Sequence, residues 1–252
     1  LASGTTLRVD LLNPAELGCP HHHTLTPGDL LKVQGGGVIA AIGVGYEPYL
    51  ERIRAAVPQV KIMEIASGAP LLPAVDVESE PFGNPHLFTC PSGLAHLTRA
   101  LAKRMREYAV AEQSIISHNE SEVVKQLGQM EVEWQGIADS IVSMPVIVTH
   151  DSLDYLCRDL GLGIVARLEE SEGEGLSVAR LLALKRDVSQ KGVRAILVDS
   201  QHETKAAATI ARETGVPVLA VDTLTQGPTD GADLYLRLRR TAAQIRALSG
   251  LR

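Results

Sequence analysis

Apolar positions along this chain follow two rhythms: short β-prone runs bounded by polar residues, and longer stretches with apolar residues three and four apart. V-I-A-A-I-G-V (Val38 to Val44) is a run of the first kind. A helical pattern follows from about Pro48 to Val57, and then a second run, V-K-I-M-E-I (Val60 to Ile65), which together predict a strand, a helix and a strand. From Gly68 to Pro91 proline, glycine and acidic residues predict a long loop, until Pro91 opens a helix carrying L-A-H-L-T-R-A-L-A-K-R-M. A further helix is predicted to start at Asn119, with Glu122 three residues on as in a capping box, and to reach about Ile141 without an internal proline. Its length suits a connector between lobes.

The second half repeats one motif. P-V-I-V-T, L-G-I-V-A, R-A-I-L-V and V-P-V-L-A-V are separated by amphipathic helical stretches, which predicts a parallel, doubly wound sheet. Polar residues follow these runs: T-H-D (Thr149 to Asp151) after the first, D-S-Q-H (Asp199 to His202) after the third, and Asp222 after the fourth. Ligands of open parallel sheets bind at the carboxyl ends of strands, so these residues sit where a site is expected.

Composition narrows the classes. At 252 residues the chain accommodates one large or two medium α/β domains, and 45% hydrophobic residues support a globular protein. No apolar run approaches the roughly 18 residues that span a bilayer, which predicts a soluble chain. A net charge of −6 and only 3% aromatic residues leave neither a basic patch nor stacking platforms, so nucleic acid is not an expected partner. Cys19, Cys90 and Cys157 are too few and too scattered for a disulfide scaffold or a zinc ribbon.

The most unusual stretch is C-P-H-H-H-T-L-T-P-G-D, Cys19 to Asp29, with three consecutive histidines well inside the chain. In extended backbone only His21 and His23 share a face, so further partners must come from elsewhere. His150, between a buried run and Asp151, suits a helix cap or a metal ligand. His86, in N-P-H-L-F-T-C-P, suits a turn or a ligand, and Asp222 a turn, an N-cap or a ligand. His96, His118 and His202 lie in or beside helical segments and are not taken as ligands.

In order and flanking residues these motifs resemble the zinc and manganese solute-binding proteins that serve ABC importers, over about residues 8 to 248. The family's Pro-His-x-Tyr-Glu-x-Thr-Pro-x-Asp is similar to P-H-H-H-T-L-T-P-G-D, which implies His21 as first ligand and puts His23 at the aromatic position. Its Gly-x-Gly-x-Glu-x-Trp-Leu resembles G-V-G-Y-E-P-Y-L, and its Asp-Pro-His-x-Trp-x-x-Pro resembles N-P-H-L-F-T-C-P, implying His86. H-D-S-L-D-Y-L-C-R-D-L-G-L resembles the third motif and implies His150; A-R-E-T-G-V-P-V-L-A-V-D-T-L resembles the last and implies Asp222. Thr24, Asn84, Phe88, Ser200 and Thr223 depart from the family pattern without removing a presumed ligand. The family has a strand and helix ahead of the segment that L-R-V-D-L-L resembles, so the first lobe is expected to be reduced or preceded by further sequence.

The resemblance implies an α/β protein of two lobes, each with a mainly parallel sheet flanked by helices, joined by one long helix. The expected division is residues 1–116, a connecting helix at 117–141, and 142–252. It also implies an extracytoplasmic or periplasmic monomer that binds Zn2+ as transported ligand, with Mn2+ as alternative, and hands it to the permease subunit of an ABC transporter. Three imidazoles and one carboxylate form a closed tetrahedral set suited to holding zinc rather than activating water, so no catalytic residues are expected. Replacing an imidazole by a carboxylate would move such a site toward manganese. If His21 and His86 converge, Cys19 and Cys90 become neighbours, which leaves open a disulfide between them in an oxidising compartment or a reduced thiol beside the ion. Two other classes stand beside this reading: a zinc hydrolase with Asp222, Asp151 or Asp199 as general base, and a binder of chelates or small organic ligands.

Overall fold

The computed structural model describes residues 1–13, 23–74, 82–141, 143–168, 177–200, 205–225 and 233–250. The chain divides into two compact units, one of Leu1–Gly128 with Thr225–Gly227 and one of Gln129–Leu224 with Pro228–Arg252. The division falls inside the long helix, where the sequence suggested a separate connector at 117–141.

The first unit begins its regular structure with α1 (Pro27–Gly35). T-P-G-D, read above only as part of a metal motif, is a capping box: the Asp29 amide donates to Thr26 Oγ1 at 3.2 Å and the Thr26 amide to Asp29 Oδ2 at 2.9 Å. Then follow β1 (Val38–Ala41), α2 (Leu50–Ala56) and β2 (Lys61–Glu64), with the two strands parallel from Val38 opposite Lys61 to Ala41 opposite Glu64. Val33, Ala41, Tyr49, Leu50, Ile53 and Val57 bury together and hold α1 and α2 to this pair of strands. β1 ends where Gly43, Val44 and Gly45 all take positive φ, of 76°, 50° and 93°. Gly43 is required there, because a Cβ would also collide with the Glu64 side chain. Val44 is the exception, a β-branched residue held left-handed at a strain of about 1–3 kcal/mol.

α3 (Pro91–Tyr108) starts at the proline that the sequence indicated, and α4 (Gln113–Ile141) runs on from it after a short 3-10 turn. α4 starts six residues ahead of the expected Asn119. Asn119 is not its cap: its amide donates to the Leu1 carbonyl at 2.8 Å and the Ser3 carbonyl at 2.7 Å, tying the first residues of the chain to the helix. The local pattern Asn-x-x-Glu imitated a start signal that this tertiary contact explains instead.

All four runs of the second half are strands: β3 (Met144–Val148), β4 (Leu162–Arg167), β5 (Ala195–Asp199) and β6 (Val218–Val221). They form one parallel sheet in the order β4-β3-β5-β6. Between them stand α5 (Asp154–Asp159), α6 (Val178–Lys191) and α7 (Lys205–Thr214), with α8 (Leu234–Leu248) after β6. Ser177 caps α6 at its start, and Gly192 ends it in the left-handed conformation at φ 64°. Ile147, Leu184, Ile196, Val198, Ala207 and Ile210 form the core between this sheet and α6 and α7. β5 is buried at every residue, as a central parallel strand must be. From β3 the chain goes to β4 on one side, then crosses to β5 on the other, so the topological switch lies between the carboxyl ends of β3 and β5. Among the described residues no helix is long and apolar enough to cross a membrane.

Ile196 is fully buried in this core, and Trp134, the only tryptophan, is buried in the same unit. Ile196→Ala is expected to lower unfolding stability by about 2–5 kcal/mol through lost burial and a residual cavity. Urea titration followed by Trp134 fluorescence measures this.

Candidate metal centre

His86 is set by local chemistry two residues upstream. Asn84 Oδ1 lies 2.9 Å from the His86 amide and 3.0 Å from His86 Nδ1. An amide oxygen only accepts, so Nδ1 carries the hydrogen and Nε2 keeps its lone pair. Asn84 thus does for this ring what carboxylates and carbonyls do behind metal-bound histidines. Asn84 is fully buried and His86 is 3% exposed, so the pair is shielded from competition by water.

Three elements hold this turn. The Thr89 amide and hydroxyl both donate to the His86 carbonyl, closing a 3-10 turn at Leu87–Thr89. α3 begins directly behind it, and Gly93 passes so close that a Cβ would collide with the Leu87 carbonyl oxygen. Tyr46, from the loop leaving β1, packs edge-on to His86 with ring centroids 5.4 Å apart, and Phe88 packs on both rings. That loop is anchored by Glu47, whose carboxylate accepts from the Ile42 and Gly43 amides at 2.9 Å each. Burial pushes the Glu47 carboxyl up to about 7 against the pull of those amides, with Glu64 adding repulsion. Cys90 is a buried thiol whose sulfur accepts from the Gly93 amide at 3.4 Å and caps α3.

His21, His22 and Cys19 lie outside the described residues, and with them the first expected ligand and any Cys19–Cys90 disulfide. His23 is described: its side chain is buried, Nε2 lies 3.3 Å from Asp29 Oδ2, and its ring packs edge-on to Tyr49 at 5.3 Å.

In the second unit, His150, Asp199 and Asp222 all stand at the carboxyl edge of the sheet, after β3, at the end of β5 and after β6. Nδ1 of His150 accepts from the Ser152 amide at 3.0 Å and so caps the 3-10 turn at Asp151–Leu153. The same nitrogen lies 3.2 Å from Asp151 Oδ1. Asp199 is 3% exposed and takes the Ser152 hydroxyl on Oδ2 at 2.8 Å and the Thr223 hydroxyl on Oδ1 at 3.0 Å. Its own amide donates to Thr149 Oγ1 at 3.3 Å. One carboxylate therefore links the segment behind His150 to the segment behind Asp222.

Asp222 is engaged from two directions. Leu224 donates its amide to Oδ1 at 2.8 Å, as in an Asx turn, and Arg237 of α8 donates Nη2 to Oδ1 at 2.6 Å and Nε to Oδ2 at 2.7 Å. Burial pushes its carboxyl up, but the Arg237 fork and the Leu224 amide outweigh this and hold it below the usual carboxylate range. The capping reading of His150 and the turn reading of Asp222 are thus both realised. In the sequence Asp199 was read only as a strand-end candidate and possible base, Asn84 only as a departure from the family pattern, and Arg237 was not singled out. Asn84 had a signal in its Asn-x-His spacing, whereas Arg237 is 15 residues from its partner, with nothing local to join them. A cavity of about 580 Å3 in the first unit, lined by Lys61, Glu64, Arg104, Glu107 and Tyr108 among others, contains none of the expected ligands.

Two α/β units with parallel sheets joined by one long helix are an architecture shared with solute-binding proteins. Residues 2–247 match the family model described as zinc-uptake complex component A, periplasmic (ZnuA), and the chain belongs to that family. A crystal structure of ZnuA superposes with a TM-score of 0.83 and 25% identity, covering 98% of this chain and 92% of that one. The high-affinity zinc uptake system protein ZnuA of Paracoccus denitrificans is 20% identical over 65% of this chain and 51% of its own. The iron-binding protein YfeA of Yersinia pestis is 21% identical over 82% and 69%. The protein is therefore a metal-binding solute-binding protein, and the hydrolase alternative is set aside.

Two outcomes follow from the geometry around His86. Nitrogen NMR of the imidazoles should show His86 with hydrogen on Nδ1 only, slow to exchange, and Asn84→Ala should restore the tautomer mixture of a free ring. Folded protein holds a proton on Glu47 that the unfolded chain has released between about 4.5 and 7, so stability falls as pH rises through that window. Thermal melts should show that slope in the parent and its loss in Glu47→Ala.

Proposed function

We propose that this protein is the extracytoplasmic capture component of a zinc importer, binding one ion as a monomer and delivering it to the permease subunit of an ABC transporter. The proposed donors are His21, His86 and His150; Asp222, the carboxylate that the resemblance adds, stands behind them in the hold of Arg237. The observation that carries the reading is the preset ring of His86: the Asn84 oxygen fixes the hydrogen on Nδ1 and so puts the lone pair on Nε2, the tautomer a metal requires. Membership of the zinc-uptake family supports zinc as the cargo.

Imidazole-rich donors suit zinc, and oxygen donors suit manganese. The iron-binding relative supports a second reading, in which the cargo is iron or manganese on the same residues. Calorimetric titration of chelator-stripped protein with zinc, manganese and iron(II) separates the two. One tight equivalent of zinc is expected in the parent, weakened at least about a hundredfold in His86→Ala and His150→Ala while both remain folded. Tight binding of zinc that survives both substitutions removes the proposed donor set, and tighter binding of iron or manganese than of zinc selects the second reading.

A further inference from the structure

Both oxygens of Asp222 are already engaged by Arg237. The two contacts between them form the planar fork that guanidinium and carboxylate make, the strongest geometry for such a pair and one that lysine does not reproduce. The Arg237 side chain is only 12% exposed. Opening the pair would leave its charge poorly solvated. Arg240 contributes further positive charge near the same carboxylate. The second tie is backbone: Leu224 sits at φ 66°, a strained position for a non-glycine residue, with its amide on Asp222 Oδ1. Moving the carboxylate would break both ties together.

On the reading that this edge of the sheet holds the cargo ion, we propose that Arg237 is a specificity-determining residue, which competes with the ion for Asp222 and so leaves coordination to imidazole nitrogen. Zinc is served well by nitrogen donors, whereas manganese gains more from carboxylate oxygen. A cation that needs Asp222 must displace a fork of two charge-assisted hydrogen bonds, and one that does not need it is unaffected. Arg237 therefore discriminates against manganese without touching either metal.

The test compares zinc and manganese dissociation constants, by competition with a chelating dye, in the full chain and in Arg237→Gln, Arg237→Lys, Asp222→Asn and the Arg237→Gln/Asp222→Asn double variant. Arg237→Gln is expected to shift the preference toward manganese by about tenfold or more, Asp222→Asn alone to change it by less than about threefold, and the double variant to return to the parent ratio. Arg237→Lys keeps the charge and loses the fork, so a shift in the same direction is expected; it decides the matter if the glutamine variant does not fold. An unchanged ratio in both Arg237 variants makes the pair merely structural and overturns the proposal. So does an Asp222→Asn variant that alone turns the ratio against manganese by more than about tenfold, since Asp222 would then already be on the ion. A parent that binds neither metal removes the functional reading itself, a result distinct from a parent that binds zinc with a ratio indifferent to Arg237.

Discussion

The Asp199 carboxylate closes the functional edge of the second unit. At the end of a strand buried at every residue, its oxygens have little access to water, and a buried carboxylate is tolerable only when hydrogen bonds replace that water. Ser152 and Thr223 provide hydroxyls, one from the turn after β3 and one from the segment after β6. Two loops far apart in sequence are thereby pinned to one central strand, and the turn carrying His150 and the turn carrying Asp222 both inherit their positions from it. Thr223 replaces a proline of the family pattern, and its hydroxyl is what proline would lack.

The first unit solves the same problem by different means. Its strand pair is short, and the loop leaving β1 takes three successive positive φ values, one of them at a valine. Glu47 compensates by holding two amides of that loop on one buried carboxylate. The loop then presents Tyr46 to the edge of the His86 ring, while Asn84 holds the opposite requirement, the hydrogen on Nδ1. Strain, a buried acid and an orphan-free imidazole are parts of one arrangement that settles the orientation of a single nitrogen.

The sequence was most informative where a pattern is local. All six strands stand where apolar runs were read, and Pro91 starts its helix, because burial and fixed φ act on the residues that carry them. It misled where one local pattern serves two ends. Asn119 with Glu122 looks like a helix start but lies inside α4, with the asparagine turned to the first residues of the chain. Thr26 with Asp29 is a real start that was read only as part of a histidine motif. His150 and Asp222 were named correctly as polar residues at strand ends, yet each also performs the modest local task, a cap and a turn, that competed with the ligand reading.

By itself, then, the sequence determined the alternation of strands and helices, the parallel sheet of the second half and the order of the histidine motifs, since these follow from periodicity and from neighbours along the chain. Only the tertiary structure decided which carboxylate ties the loops together and which is already claimed by an arginine. Those outcomes depend on groups brought together from 15 to 47 residues apart in unit two, and no local pattern encodes the partner that arrives through folding.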